Sequence, residues 1–430
     1  MATSDLKFVL GDQERDLKKK FSDEHIINRH GVEKVRSKTV PAVASIITGP
    51  RRAGKSIFSA LVAGRDSYAY VNFEDDRLSL KTPLLQDVMD AIYGLKGEVQ
   101  WLIFDEIQNV PGWERFIARI IPTRKVIISG SNATLLSSEL ATALTGRHIN
   151  HVLLPFSFSE YLDFCSVSAD PYSTPSVAGV KSALERYLQD GGFPLAQRLG
   201  FEFLSDLYRD MLERDVIARY RLRRPAQIRE LAKYIVSNTG CEFTYHKLMP
   251  VADISNPVTI RNYVHYLQNA YLIFEVRRFS FKLKEQVIAP KKLYCIDTGL
   301  SRAAGFVFSE NKGRTMENVV AIHLFRQMHS TPFFEFYYFK DHQQREVDFV
   351  LKKGERVVQL IQVCHDPNAH NVMKRETEAL VRASRELRCN SLLVITWDFE
   401  SEEKIGGKSI FFVPLWKYLL EMSPEPKKAH

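Results

Sequence analysis

At 430 residues, with 45% apolar residues and a formal net charge of +8, the chain has room for two to four domains and enough apolar material for ordinary cores. This argues against global disorder. The longest apolar runs, such as 392–395, are far too short to span a bilayer, and the charged N-terminus MATSDLKFVLGDQERDLKKK has no apolar signal segment. Five scattered cysteines with no C-x-x-C spacing suggest neither a zinc site nor a disulfide framework, so a cytoplasmic protein with no membrane partner is expected. The basic balance favours an anionic partner.

The first forty residues, rich in Lys, Asp and Glu, read as a helical lead-in. Residues 43–48 form a short apolar run that predicts a buried strand. They lead into Gly49, Pro50, Arg51, Arg52, Ala53, Gly54, Lys55 and Ser56, which match G-x-x-x-x-G-K-[ST], the Walker A phosphate loop. Residues 57–62 continue as a helix, which supplies the strand–loop–helix context the motif needs. The glycines let backbone N–H groups turn toward phosphate oxygens, and the helix N-terminus faces the anion. Lys55 is expected to reach the β- and γ-phosphates, and the Ser56 hydroxyl to ligate Mg²⁺.

Residues 68–75 suit a further strand of the same sheet. Residues 101–106, WLIFDE, form an apolar strand ending in two acids, as Walker B does. Asp105 is expected to hold Mg²⁺ through water, and Glu106 to act as general base on the attacking water. A strand at 125–129 runs into Gly130, Ser131 and Asn132, and either Ser131 or Asn132 could sense the γ-phosphate. A helix over 133–144 follows, and then Arg147. This arginine reads either as a finger, in cis or on a neighbouring subunit, or as a cation complementing a helix dipole. The fold class is α/β: a parallel sheet with helices on both faces over residues 1–210.

The segments GPRRAGKS, LIFDEIQNV, ISGSNATLLSSELATALTGRH and LLPFSFSEYL, in this order, resemble the prokaryotic AAA-type ATPases found mostly in archaea and bacteria. The resemblance covers nearly the whole chain. It implies ATP binding at Gly49–Ser56 and Asp105–Glu106, and it supports Arg147 as a finger in a homo-oligomer. It also implies a helix-turn-helix region followed by a nuclease-like C-terminal domain.

Residues 211–300 read as a winged helix. Ile228, Leu231, Ala232 and Ile235 recur at helical spacing, a short helix surrounds 245–249, and a third opens at Ser255-Asn256-Pro257. Residues 271–281 alternate like a strand, with a hairpin after them. Between 256 and 292 lie seven basic residues (Arg261, Arg277, Arg278, Lys282, Lys284, Lys291, Lys292) against Glu275 and Glu285. Arg261, Arg277, Arg278, Lys282 and Lys284 are the candidates for duplex or branched DNA, gripped through phosphates rather than read by sequence. The alternative is a winged helix used for protein contacts.

Residues 301–430 read α-β-β-β-α-β, which resembles the PD-(D/E)xK nuclease core. Glu317 and Asp348 match its helix Glu and strand Asp. At the spacing where Glu-x-Lys belongs stand Gln362, Val363 and Cys364. Gln is a poor ligand for a hard cation, and Cys cannot replace the lysine. The site is therefore expected to be degenerate and without nuclease activity, and Lys374-Arg375-Glu376 to be a solvated helix start. The reading is an Mg²⁺-dependent ATPase acting on, or regulated by, DNA. A signalling nucleotide switch without DNA work and an ATP-gated nuclease with an altered site are the alternatives.

Overall fold

The computed structural model describes residues 3–79, 85–133, 144–305, 311–366 and 370–421. Five short runs pair as parallel strands: β1 (Ala44–Thr48), β2 (Tyr68–Asn72), β3 (Trp101–Asp105), β4 (Lys125–Gly130) and β5 (His148–Val152). β1 and β3 are buried at every position, as strands covered on both faces are. The order is β2-β3-β4-β1-β5, so β4 separates the strand before the glycine loop from the strand ending in Asp105. Thr48 lies opposite Gly130, and Asp105 opposite Ser129. Because all five strands run parallel, the glycine loop, Asp105 and Gly130 open on one edge of the sheet.

Strand alternation divides the side chains between two layers. Ile46, Phe104 and Ile128 pack with Leu6, Leu10, Met89 and Ile117, whereas Ile47, Ile103 and Ile127 pack with Val35, Phe58 and Val62. The first layer belongs to helices Thr3–Asp23, Leu85–Lys96 and Trp113–Ile120, the second to Val32–Lys38 and Lys55–Ala63. Each fully buried Ile or Phe in these layers contributes about 1.5–3 kcal/mol. The parallel α/β sheet expected from the sequence is observed, with β5 added as a strand that the sequence reading did not include. The helix expected over 133–144 lies almost wholly outside the described residues.

Contact compactness separates Met1–Pro155 with Asn269–Tyr271 from Phe156–Gln268 with Leu272–His430. The division expected at residue 210 thus falls inside the second unit. Long-range contacts explain this. The Gly192 N–H donates to Asp297 Oδ2 at 2.6 Å, and the Thr298 hydroxyl to the Tyr187 carbonyl at 3.3 Å. A Cβ at Gly299 would meet the Asp190 carbonyl oxygen at 2.3 Å. Helices Thr174–Asp190 and Ala196–Asp210 therefore belong with residues near 297–304.

The second unit holds helices Pro225–Ser237, Tyr245–Leu248 and Pro257–Asn269 and the strands β6 (Glu242–Phe243), β7 (Ile273–Arg277) and β8 (Lys291–Cys295), in the order β6-β8-β7. Between β7 and β8 stands a short helix, Leu283–Ile288, where a simple hairpin was expected. After helix Lys312–Ser330 come β9 (Phe334–Lys340), β10 (Glu346–Lys353), β11 (Arg356–Cys364), helix His370–Glu386 and β12 (Leu392–Thr396). Two strands absent from the sequence reading, β13 (Ser401–Ile405) and β14 (Lys408–Pro414), complete a six-stranded mixed sheet. Gly406 and Gly407, at φ 58° and 80°, make the turn between them.

Candidate nucleotide site and an acid–lysine cluster

The glycine loop leaves β1 with Gly49 at φ 151°, and a Cβ there would lie 2.0 Å from the Leu153 carbonyl oxygen. That close approach requires glycine. Gly54 takes a left-handed conformation, φ 93°, immediately before helix Lys55–Ala63. Lys55 is buried, and its ammonium donates to the Gly49 and Pro50 carbonyls at 3.2 and 3.0 Å, across the mouth of its own loop. Ala53 is held from behind: Arg29 donates to its carbonyl at 3.0 Å and to that of Leu154 at 2.7 Å. Arg51 pairs with Glu74 at 2.8 Å, while Arg52 is exposed at φ 64°.

Asp105 gathers three hydroxyls. Its Oδ2 accepts from Ser56 at 2.5 Å and Tyr70 at 2.9 Å, and its Oδ1 from Ser129 at 2.6 Å. Burial, and then the Asp105 charge, pushes the Tyr70 phenol far above its usual range, so Tyr70 stays a donor. Glu106 sits at φ 52°, a left-handed backbone uncommon for a residue with a Cβ. Its Oε2 accepts from the Ser131 N–H and hydroxyl, both at 3.2 Å, and from Gln108 at 2.5 Å. Burial raises the Glu106 carboxyl above its usual range, Lys55 opposes this, and Asp105 adds to it. Ser131 is thus the polar strand-end residue joined to Glu106; Asn132 is buried beside it.

The carboxylate, the Ser56 hydroxyl and the Lys55 ammonium fit an Mg²⁺–phosphate group: a hard oxygen pair lies beside a helix N-terminus and a cation held only by neutral carbonyls. Sequence reasoning missed Tyr70, Ser129, Arg29 and Tyr271. Tyr271, at φ 55°, donates to Thr48 Oγ1 at 2.7 Å, and burial pushes its phenol up to about 12. Nothing in a linear pattern joins positions 271 and 48.

Arg147 is exposed where the chain enters β5, its carbonyl accepting from the Ala44 N–H at 2.9 Å. β5 pairs in parallel with β1, His148 opposite Ala44 and Val152 opposite Thr48. Arg147 therefore stands at the far end of β1 from the glycine loop, about 13 Å away at the rise of a strand. A finger acting in cis does not fit this position.

Of the five DNA candidates, Arg261 and Lys284 are exposed. Arg277 pairs with Glu275 at 3.0 Å and Lys282 with Glu285 at 3.1 Å, both on the surface, where such pairs are weak. Arg278 is partly buried and donates to the Lys340 carbonyl at 2.5 Å. Beside these charges Phe281, Leu283, Val287 and Ile288 are exposed.

Glu317 and Asp348 do come together, around a lysine the sequence reading had placed on the basic face. The buried Lys292 ammonium lies 2.8 Å from Glu317 Oε1, 2.5 Å from Glu346 Oε1 and 3.8 Å from Asp348 Oδ1. The Tyr294 hydroxyl donates to Glu317 Oε1 at 2.7 Å. Burial opposes the Lys292 charge, but Tyr294, Glu317, Asp348 and Glu346 raise its pKa well above the ordinary value. Burial, then Glu317, pushes the Asp348 carboxyl well above its range. Gln362 accepts from the Asp348 N–H at 3.3 Å and donates to Glu376 Oε2 at 2.5 Å. Glu376 is thus turned inward rather than solvated. Cys364 packs in the apolar core, where burial raises its thiol to about 11. Among the described residues no group of three or more His, Cys, Asp or Glu side chains is arranged to hold a metal ion, and no helix is long and apolar enough to cross a membrane.

Residues 42–162 match the family described as an AAA domain, 181–311 a domain of unknown function (DUF8612) and 312–418 another (DUF4143). The chain is 32% identical over 416 residues to the uncharacterized protein MJ1544 of Methanocaldococcus jannaschii, covering 92% of this chain and 91% of that one. An uncharacterized protein of Haemophilus influenzae is 26% identical, covering 86% and 93%. Among solved structures, the Walker-type ATPase PABY2304 of Pyrococcus abyssi is 15% identical, with a TM-score of 0.44, covering 65% of this chain and 96% of that one.

Proposed function

We propose, from the premise that the chain belongs to the family of the Methanocaldococcus jannaschii protein MJ1544 and carries an AAA domain, that it is an Mg²⁺-dependent ATPase whose second unit engages DNA. The observation that carries the ATPase reading is the meeting of Lys55, Ser56, Asp105 and Glu106 at one edge of a parallel sheet. Ser56 and Asp105 would hold Mg²⁺, which when bound offsets charge on the β- and γ-phosphates. Lys55 exchanges two loop carbonyls for phosphate oxygens, and the N–H groups of the loop cradle the anion. Glu106, raised in basicity and oriented by Ser131 and Gln108, takes the proton of the attacking water. Lys55→Ala should weaken ATP binding about tenfold to a hundredfold, the effect of losing a charged hydrogen-bond donor. Unchanged affinity in a fluorescent-nucleotide titration would remove the assignment.

The DNA reading rests on a winged-helix arrangement, three helices and the β6-β8-β7 sheet, with Arg261, Asn262 and His265 exposed on helix Pro257–Asn269 and Lys282 and Lys284 beside β7. ATPase rate with single-stranded, duplex and branched DNA tests it; a rate indifferent to all three counts against it. The four exposed apolar side chains at 281–288 favour a second reading, a wing that contacts protein. A homo-oligomer or partner captured through that wing, with no DNA effect on turnover, would put the signalling switch first. The nuclease-like reading of the C-terminal sheet is likewise proposed, with Gln362, Cys364 and the paired Lys292 all opposing cleavage.

A further inference from the structure

Beside Glu106 stands an amide with only one end in use. β3 ends at Asp105, and after Glu106 the chain enters a 3₁₀ turn, Ile107–Asn109. The turn is pinned on both sides of Gln108. Ile107 is fully buried in the core, and the Asn109 side chain donates to the Phe73 carbonyl at 3.3 Å. From this held backbone Gln108 Nε2 donates to Glu106 Oε2 at 2.5 Å. An ionised carboxylate only accepts, so Nε2 is the end that faces it and Oε1 the other end of the amide. Gln108 Oε1 is buried and has no hydrogen-bond partner among the described residues. A buried polar atom left so is unfavourable in the resting protein and asks for a reason. Glu106 is one-sided in a matching way. The Ser131 N–H, the Ser131 hydroxyl and Gln108 all donate to its Oε2, and no described residue donates to its Oε1.

We infer that Gln108 is a catalytic residue of this site, its Oε1 accepting a hydrogen bond from one proton of the attacking water while Glu106 Oε1 takes the other. This role rests on the reading of Glu106 as the general base. In the step, the water oxygen bonds to the γ-phosphorus as the bond from that phosphorus to the ADP oxygen breaks. One proton passes to Glu106, and the other stays on the new phosphate oxygen. An attacking water must aim a lone pair at phosphorus, and a single acceptor leaves it free to turn about one hydrogen bond. Two acceptors fix its orientation as well as its place. One amide thus holds the base with its N–H and the nucleophile with its oxygen.

Three variants separate the two ends of the amide. Gln108→Leu removes both, and should lower kcat by about tenfold to a hundredfold, the effect of a lost hydrogen bond to a charged group, with ATP affinity kept within about twofold. Gln108→Lys keeps a donor for Glu106 and has no acceptor, so its kcat should stay as low as that of Gln108→Leu. Gln108→Glu keeps acceptor oxygens and should turn over at least about fivefold faster than Gln108→Leu, part of one hydrogen bond. Melting temperatures show which chains are folded. Recovery in Gln108→Lys alone, equal losses in all three, or a Gln108→Leu faster than the wild type overturns the role. If Gln108→Leu does not fold, the Lys and Glu variants decide between them; failure of all three to fold makes Gln108 a structural residue and overturns it too. If Glu106→Gln loses turnover while Gln108→Leu keeps the wild-type rate, the role of Gln108 falls and the ATPase reading stands. If Glu106→Gln turns over like the wild type, both fall.

Discussion

Lys55 and Lys292 are both buried beside acids, yet their neighbours give them opposite tasks. Lys55 donates to two carbonyls of its own loop, at 3.2 and 3.0 Å, and the acids nearby are occupied by hydroxyls and N–H groups. Carbonyls are neutral, so a lysine that leaves them for a phosphate strands no charge and can serve a ligand. Lys292 is bound to Glu317, Glu346 and Asp348. Removing it leaves three largely buried carboxylates with Lys340 beside Glu346 as their remaining lysine, so such a lysine serves the fold. Burial by itself does not mark a lysine as functional; what its ammonium would leave behind does.

If the first site is the chemical one, Glu106→Gln should lower turnover by about 10² to 10⁴, the range for a lost general base, while ATP remains bound. Turnover within a few-fold of the wild type would leave Lys55 a structural lysine like Lys292.

Asp297 sharpens the point from the side of the acid. It is buried against backbone N–H groups of Gly192 and Leu300, and burial raises its pKa to about 6. For a carboxyl raised in the folded state, the stability is present below the unfolded value near 3.8 and is lost as pH rises through 6. The wild type should therefore gain on Asp297→Asn as pH falls from 7 to 4, by up to about 3 kcal/mol. A stability difference that stays constant with pH, read by chemical denaturation, contradicts this.

Smaller effects concern the surface. Lys282→Ala/Lys284→Ala should flatten the slope of log K against log salt for duplex DNA by about 1.8, two phosphates' worth. Arg278→Ala should leave that slope unchanged, because its guanidinium is committed to Lys340. A slope that responds only to Arg278 reverses the assignment. Smallest of all, Arg147→Ala should alter turnover by no more than a few-fold, given its place at the far end of β1. A 10³-fold loss restored by mixing with Lys55→Ala subunits would instead make Arg147 a finger in trans.

How much was legible in the chain follows from the range of each interaction. Four of the five parallel strands could be read because each is a local apolar run, and the glycine loop because its residues are contiguous; β5, HINHV, is partly exposed and carries no such run. The 401–414 hairpin was missed although Gly406-Gly407 marked its turn: the SEEKI strand is half exposed and carries no apolar run. The 283–288 helix was missed because its apolar residues face outward, so no core periodicity betrays it.

Local sequence thus determined β1 to β4, the loop that follows β1 and the acids that end β3, since backbone preference and short-range pattern suffice for these. Only the tertiary structure decided that Asp105 gathers Tyr70 and Ser129, that Arg147 lies at the wrong end of its strand for its own loop, and that Lys292 leaves the basic face to close the acid cluster. Each of these depends on parallel register or on strands far apart in the chain, where the cost of closing the loop is repaid by contacts that no linear spacing encodes.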